Sequence, residues 1–149
     1  MNDSLNVLFG FLGGSVMSVE GGYKVLPKHP SGKVFKRLAD AKWFLALQWC
    51  EQSTTPAAIM NNTEQFSFQN ALALSLGITA FIPEAMRTKI FRLSLELSPR
   101  EIKTVSFNLN QGLYRRSLDI QGIEIDPRYG KVALIRERLP EYLPTKVAL

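Results

Sequence analysis

Apolar residues recur every three to four positions between Gly32 and Gln52, where Val34, Leu38, Leu45 and Trp49 form a stripe widened by Phe35 and Ala41. Lys33, Lys36, Arg37 and Asp40 fall on the other side, so the spacing predicts an amphipathic helix started by Ser31. Ser98-Pro99-Arg100-Glu101 predicts a second start, with Ser at the N-cap, Pro in the first turn and Glu closing a capping box. Ile102, Val105, Leu109 and Leu113 then share one face of a helix predicted over Pro99–Arg116. Thr55-Pro56 predicts a short helix through Met60, and a further one over Phe66–Leu76 stops at Gly77. Pro83 opens another to about Leu95, although the alternation of Phe91, Leu93, Leu95 and Leu97 keeps a strand in competition there.

The two ends are less regular. Asp3–Val19 reads as a helix capped by Asp3 or Ser4 and weakened by Gly10, Gly13 and Gly14, with a linker at Gly21-Gly22 and Pro27–Pro30. Ile120, Ile123 and Ile125, then Asp126–Gly130, then Lys131–Ile135 read as two strands joined by a turn. Alternatively, Asp126-Pro127 caps a last helix bearing Val132, Ile135 and Leu139. The expectation is a small turn or hairpin followed by a helix ending at Pro140. Together these elements predict a mainly α protein, a single compact multi-helix domain over 1–149. It would have an apolar, Gly-containing segment at 1–22, a helical core over 31–139 and room for a small C-terminal β-hairpin.

Composition narrows the chemistry. A chain of 149 residues, 46% hydrophobic and 21% charged, suits one buried core. One Cys and one His exclude an intramolecular disulfide framework, a multi-Cys metal site and every two-His motif. No metal and no cofactor is expected, and the balance leans away from an enzyme. Ser4–Val19 is too short and glycine-rich for a span, and Gln65–Pro83 carries too many polar residues, so no membrane span and a cytoplasmic location are expected. Peripheral attachment through Ser4–Val19 is the remaining membrane reading.

The net charge of +5 is unevenly spread. Six basic residues between Lys24 and Lys42 face one acid, and seven between Arg87 and Arg116 face two, so each stretch carries a local +5. The 44 residues from Trp43 to Met86 hold no Lys or Arg. Folded onto one side, the two stretches would attract phosphate backbones; dispersed, they are ordinary solubilising charge.

Catalytic and nucleotide motifs are incomplete. Gly32-Lys33 is followed by Val34 where a phosphate loop needs Ser or Thr, and Phe9–Gly14 lacks dinucleotide-loop spacing. Cys50 lies beside Trp49 without a neighbouring cation, which predicts a buried inert thiol, and His29 lies in a loop. No pair among the 13 acids is singled out by spacing. Trp49 is expected in the core, whereas Trp43 is divided between the core and a partner-facing position.

Leu97-Ser98-Pro99-Arg100-Glu101-Ile102-Lys103 resembles the L-S-x-x-x-[LI]-[RK] start of the basic helix in FinO/ProQ-type RNA chaperones. Leu72–Ile78 is similar to that family's P-L-x-x-G-I segment without its proline, and Pro56–Ile59 sits at its F-P-x-x-F element. Gly122, Ile125-Asp126 and Gly130 follow in the family's order, so the resemblance covers about Pro56–Gly130. The family's Tyr-Thr pair is replaced by Leu109-Asn110, and its next aromatic is displaced to Tyr114. The resemblance implies binding of structured RNA by a concave basic face, with Lys103 on phosphate and Tyr114–Arg116 flanking the pocket.

Two functions are therefore expected. The first is a non-enzymatic nucleic-acid-binding protein, RNA before DNA, contacting phosphate through Lys33, Lys36, Arg37, Arg100, Lys103, Arg115 and Arg116. Tyr114 would stack on a base, and Arg128 and Lys131 lie beside the turn. The second is a structural subunit of a nucleoprotein, phage or secretion assembly, burying the apolar N-terminal segment against other subunits. The position of Lys33, Lys36 and Arg37 relative to Lys103 and Arg116 separates them: a shared face favours nucleic acid, opposite faces favour assembly.

Overall fold

The computed structural model describes residues 7–11, 14–26, 28–77, 81–98, 101–109 and 114–138. The expected mainly α architecture is overturned: the chain builds two antiparallel sheets and, among the described residues, three helices. β1 (Val7–Phe11), β2 (Gly14–Val19) and β3 (Gly22–Leu26) form a three-stranded meander, its first two strands lying where the Asp3–Val19 helix was expected and β3 beginning in the expected linker. Gly21-Gly22 belongs to the β2–β3 turn; a Cβ at Gly22, whose φ is +150°, would collide with the carbonyl of Phe35.

α1 (Leu38–Gln52) is the predicted helix, begun six residues later than the spacing suggested. The lost turns are explained by Phe35, whose N–H and C=O both bond to Tyr23 at 2.7 Å and hold the segment against β3. α1 lies between the meander and the larger sheet, which is why Ala39, Ala41, Leu45, Ala46 and Cys50 are buried on more than one of its faces.

The larger sheet runs β5-β4-β8-β7-β6, from β4 (Ala57–Met60), β5 (Phe66–Gln69), β6 (Lys103–Leu109), β7 (Tyr114–Asp126) and β8 (Gly130–Glu137). β4 replaces the short helix expected after Thr55-Pro56. All four of its residues are buried, and a short apolar run covered on both faces serves as an interior strand. Thr55 accordingly does not cap a helix; its Oγ1 donates to the carbonyl of Glu137 at 2.6 Å. The segment predicted as Phe66–Leu76 is split by Asn70 into β5 and α2 (Ala71–Leu76), with Gly77 ending the helix as expected. α3 (Glu84–Glu96) forms at the Pro83 signal, as a helix rather than the competing strand.

The capping-box signal at Ser98–Glu101 is half realised. Glu101 Oε1 accepts the N–H of Ser98 at 3.1 Å, yet the chain turns into β6. Thus the predicted Pro99–Arg116 helix, including the basic helix implied by the FinO/ProQ resemblance, is replaced by strands in the described part of that span. The two C-terminal strands joined by a turn are present as β7 and β8, and β8 continues through the residues where a last helix was expected. Leu139 and Pro140 of that expected helix lie outside the described residues.

Alternation assigns the faces of the sheet. Ala57, Ile59, Ile123, Ile125, Val132 and Leu134 face α1 and the meander; Ala58, Met60, Leu118, Ile120, Ala133 and Ile135 face α3 and Phe81. Two cores, one on each side of one sheet, result.

Candidate interaction surfaces

Basic residues predicted as one binding face are distributed over both sides of the sheet. Lys33, Lys36 and Arg37 precede α1 and lie on its side, fixed by Phe35, which packs against His29 and Phe44. The Lys33 ammonium sits 5.0 Å from the Phe35 ring centre. Lys103 pairs with Ile120 and Arg116 with Phe107, positions whose side chains face α3. Arg116 is buried: its guanidinium lies 3.6 Å from Glu137 Oε1 and over the Phe81 ring at 6.0 Å. Lys131 reaches the C-terminal end of α3, donating to the carbonyls of Leu95 at 3.0 Å and Leu97 at 3.3 Å. Such contacts satisfy helix-end carbonyls and place the ammonium at the negative end of the helix dipole. Arg100 and the side chain of Tyr114 lie outside the described residues.

One pair of predicted residues does converge. Arg37 and Arg128 line a surface recess of about 390 Å³ with Asn62, Asp126 and Tyr129. Asp126 Oδ1 accepts the N–H groups of Arg128 at 2.9 Å and Tyr129 at 2.6 Å, so this carboxylate shapes the hairpin turn. Asn62 Nδ2 donates to the Tyr129 carbonyl at 3.2 Å, tying the β4–β5 turn to the β7–β8 turn. The Tyr129 ring meets Trp43 edge-on at 5.2 Å, which gives Trp43 its partly buried position. Nearby, Lys42 Nζ donates to the Glu124 carbonyl at 2.8 Å. Burial lowers the Lys42 pKa, partly offset by the Glu124 and Asp126 carboxylates.

A second surface was missed by the sequence reading. Thr104, Ser106 and Asn108 on β6 pair with Asp119, Ser117 and Arg115 on β7, and all six occupy the α1 side of the sheet beyond the reach of α1's core. Thr104 Oγ1 donates to Asp119 Oδ1 at 2.9 Å, and the Ser106 and Ser117 hydroxyls are 2.8 Å apart. Arg136 lies 3.6 Å from Asp119 and over the Trp49 ring at 5.8 Å; Arg138 Nη1 donates to Thr104 Oγ1 at 3.4 Å. Arg115, Arg136 and Arg138 therefore border an open polar half-face. Its signal was the strict alternation of Thr104–Leu109, hidden by the capping motif in front of it.

Apolar exposure concentrates on α2. Leu72, Leu74 and Leu76 are all exposed, Leu74 at 62% of its surface, while Ala73 between them is buried. The apolar N-terminal segment, by contrast, is half-buried or buried from Gly14 to Val19: Val16 is fully buried in the core beside α1, where it joins Val25 of β3.

Cys50 and His29 form no nucleophile and base. Cys50 is fully buried, and burial pushes its thiol up to about 12, with a hydrogen bond from the Asn70 backbone pulling weakly the other way. His29 is held between Phe35 and Phe44, its Nδ1 facing the Ser31 N–H and hydroxyl at 3.1 and 2.9 Å. Among the described residues no three His, Cys, Asp or Glu side chains come together as a metal site, and no helix is long and apolar enough to cross a membrane. Neither the protein-family models nor the curated proteins compared with this chain match it.

Proposed function

We propose that this chain is a non-enzymatic structural subunit of a larger protein assembly. The observation that carries this reading is the exposure of Leu72, Leu74 and Leu76 on one short helix, within a 44-residue stretch that has no Lys or Arg to solvate it. Supporting it, Lys33, Lys36 and Arg37 lie across the sheet from Lys103 and Arg116, and Arg116 and Lys131 are engaged within the fold. Leu72, Leu74 and Leu76 keep 44%, 62% and 41% of their surface exposed, so covering the remainder contributes about half of the ~1.5–3 kcal/mol of a full leucine burial each, before the cost of association.

A photo-reactive amino acid at position 74, activated in the native cell extract, tests this. The expected result is a link to one discrete partner peptide, lost when Leu72→Asp and Leu76→Asp are combined with it. A purified chain that stays a monodisperse monomer, binds no apolar dye and yields no link would overturn the reading.

Nucleic-acid binding is the second reading, and the arginine border of the open half-face, Arg115, Arg136 and Arg138, is the observation that favours it. Fluorescence anisotropy with structured RNA at two salt concentrations separates it from the first. Sub-micromolar binding that weakens steeply with salt, and weakens again in Arg115→Ala/Arg138→Ala, would put it ahead.

A further inference from the structure

β6 ends the larger sheet, and on its outer side no strand pairs with it among the described residues. The other edges are less open to pairing. β5 has four residues, β1 carries an irregularity between Val7 and Phe9, and β3 is already bridged at Tyr23 by Phe35. β6 keeps seven residues in unbroken register with β7 and contains no proline. An edge of this kind presents a row of backbone donors and acceptors ready to take another strand.

We infer that β6 pairs antiparallel with β6 of a second copy of this chain about a two-fold axis through Ser106, joining two five-stranded sheets into one. The inference is independent of the docking proposed for α2. Its basis is the self-complementarity of Lys103-Thr104-Val105-Ser106-Phe107-Asn108-Leu109. Directly opposed residues share a face, so a two-fold between residues would set Val105 against Ser106 and mix the polar and apolar faces. A two-fold on Ser106 uses the whole strand and keeps both faces consistent.

In that register Val105 meets Phe107, a β-branched and aromatic pair of the favoured kind, and each half-buried side chain covers the other. Thr104 meets Asn108, and Ser106 meets Ser106, extending the hydroxyl contact already made with Ser117. Lys103 faces position 109 and not another lysine. The next strands out are also complementary. The row Arg115–Asn108 continues into Thr104–Asp119 of the second copy, so the neighbouring strands β7 extend the polar row on both sides of the axis. Between the two β6 strands no like charges are directly opposed.

Light scattering of the purified chain is expected to give twice the 16.8 kDa of one copy. Ser106 is exposed on the open polar face, so its variants are expected to fold, with circular dichroism as the control. Ser106→Lys or Ser106→Asp alone places like charges across the axis and weakens self-association by about tenfold or more. Mixing the two variants restores the doubled mass. Ser106→Cys, under mild oxidation, gives a covalent dimer through position 106, because Cys50 is buried. A wild-type mass of one copy overturns the inference, as does a dimer indifferent to Ser106→Lys or a mixture that does not re-form it. A dimer kept by Ser106→Lys but lost by Leu74→Glu overturns it while supporting the assembly reading.

Discussion

Gly122 on β7 lies against the carbonyl of Ser94 on α3, so closely that a Cβ on Gly122 would collide with that oxygen. Ser94 is itself fully buried and turns its hydroxyl back to the Phe91 carbonyl at 2.6 Å. The contact is backbone against backbone, so neither side can move a rotamer aside. It sets how near α3 comes to the sheet and therefore how tightly Ile90 and Phe91 reach Leu118 and Ile120 in that core.

Gly122→Ala is accordingly expected to lower stability by about 1–3 kcal/mol, the range of overpacked cores. Chemical denaturation checks it. A melting transition unchanged from wild type would show that α3 can slide.

Arg116 and Glu137 form the most buried ion pair among the described residues, with side chains 6% and 17% exposed. Arg116→Ala leaves the Glu137 carboxylate in a poor environment and is expected to cost about 3 kcal/mol or more. Replacing both by Leu is expected to recover much of that loss. Denaturant titration of the single and double variants reads both effects.

Asn70 joins three elements. Its Oδ1 accepts from Ala57 at 3.1 Å and Ala73 at 2.9 Å, and its Nδ2 donates to the Thr55 carbonyl at 2.9 Å. Asn70→Ala removes a helix cap and strips three buried backbone groups of this partner, for an expected loss of about 2–4 kcal/mol. Hydrogen exchange is expected to rise first at Ala57 and Ala73.

Cys50 is expected to resist alkylation at pH 8 in the folded chain and to react at once in denaturant. Its thiol pKa is raised by burial from 9.0 to about 12, so the fold favours the protonated form. Below pH 9 both folded and unfolded chains keep the proton, and this contribution to stability is fully present. Between pH 9 and 12 the unfolded chain releases the proton first, and the contribution is progressively lost. Cys50→Ala is expected to flatten that alkaline decline in a stability–pH series.

What the sequence determined by itself was local. The stripe from Leu38 to Trp49, the Pro83 start, the Gly77 stop, the burial of Cys50 and the Asp126–Gly130 turn with its flanking strands all follow from spacing and turn chemistry acting within a few residues. Tertiary structure decided the rest, and it did so where local signals competed with burial. Ser98–Glu101 kept its capping bond but lost its helix, because Val105 and Phe107 are both half-buried on one face only when β6 lies beside β7. Thr55-Pro56 lost its helix because Ala57–Met60 is covered from both sides by cores built from distant segments. The same sheet divided the basic residues. Charge counted along the chain shows that two stretches are positive; only the alternation of faces across β6, β7 and β8 shows that Lys103 and Arg116 lie across the sheet from Lys33, Lys36 and Arg37, while Arg115 keeps to their side.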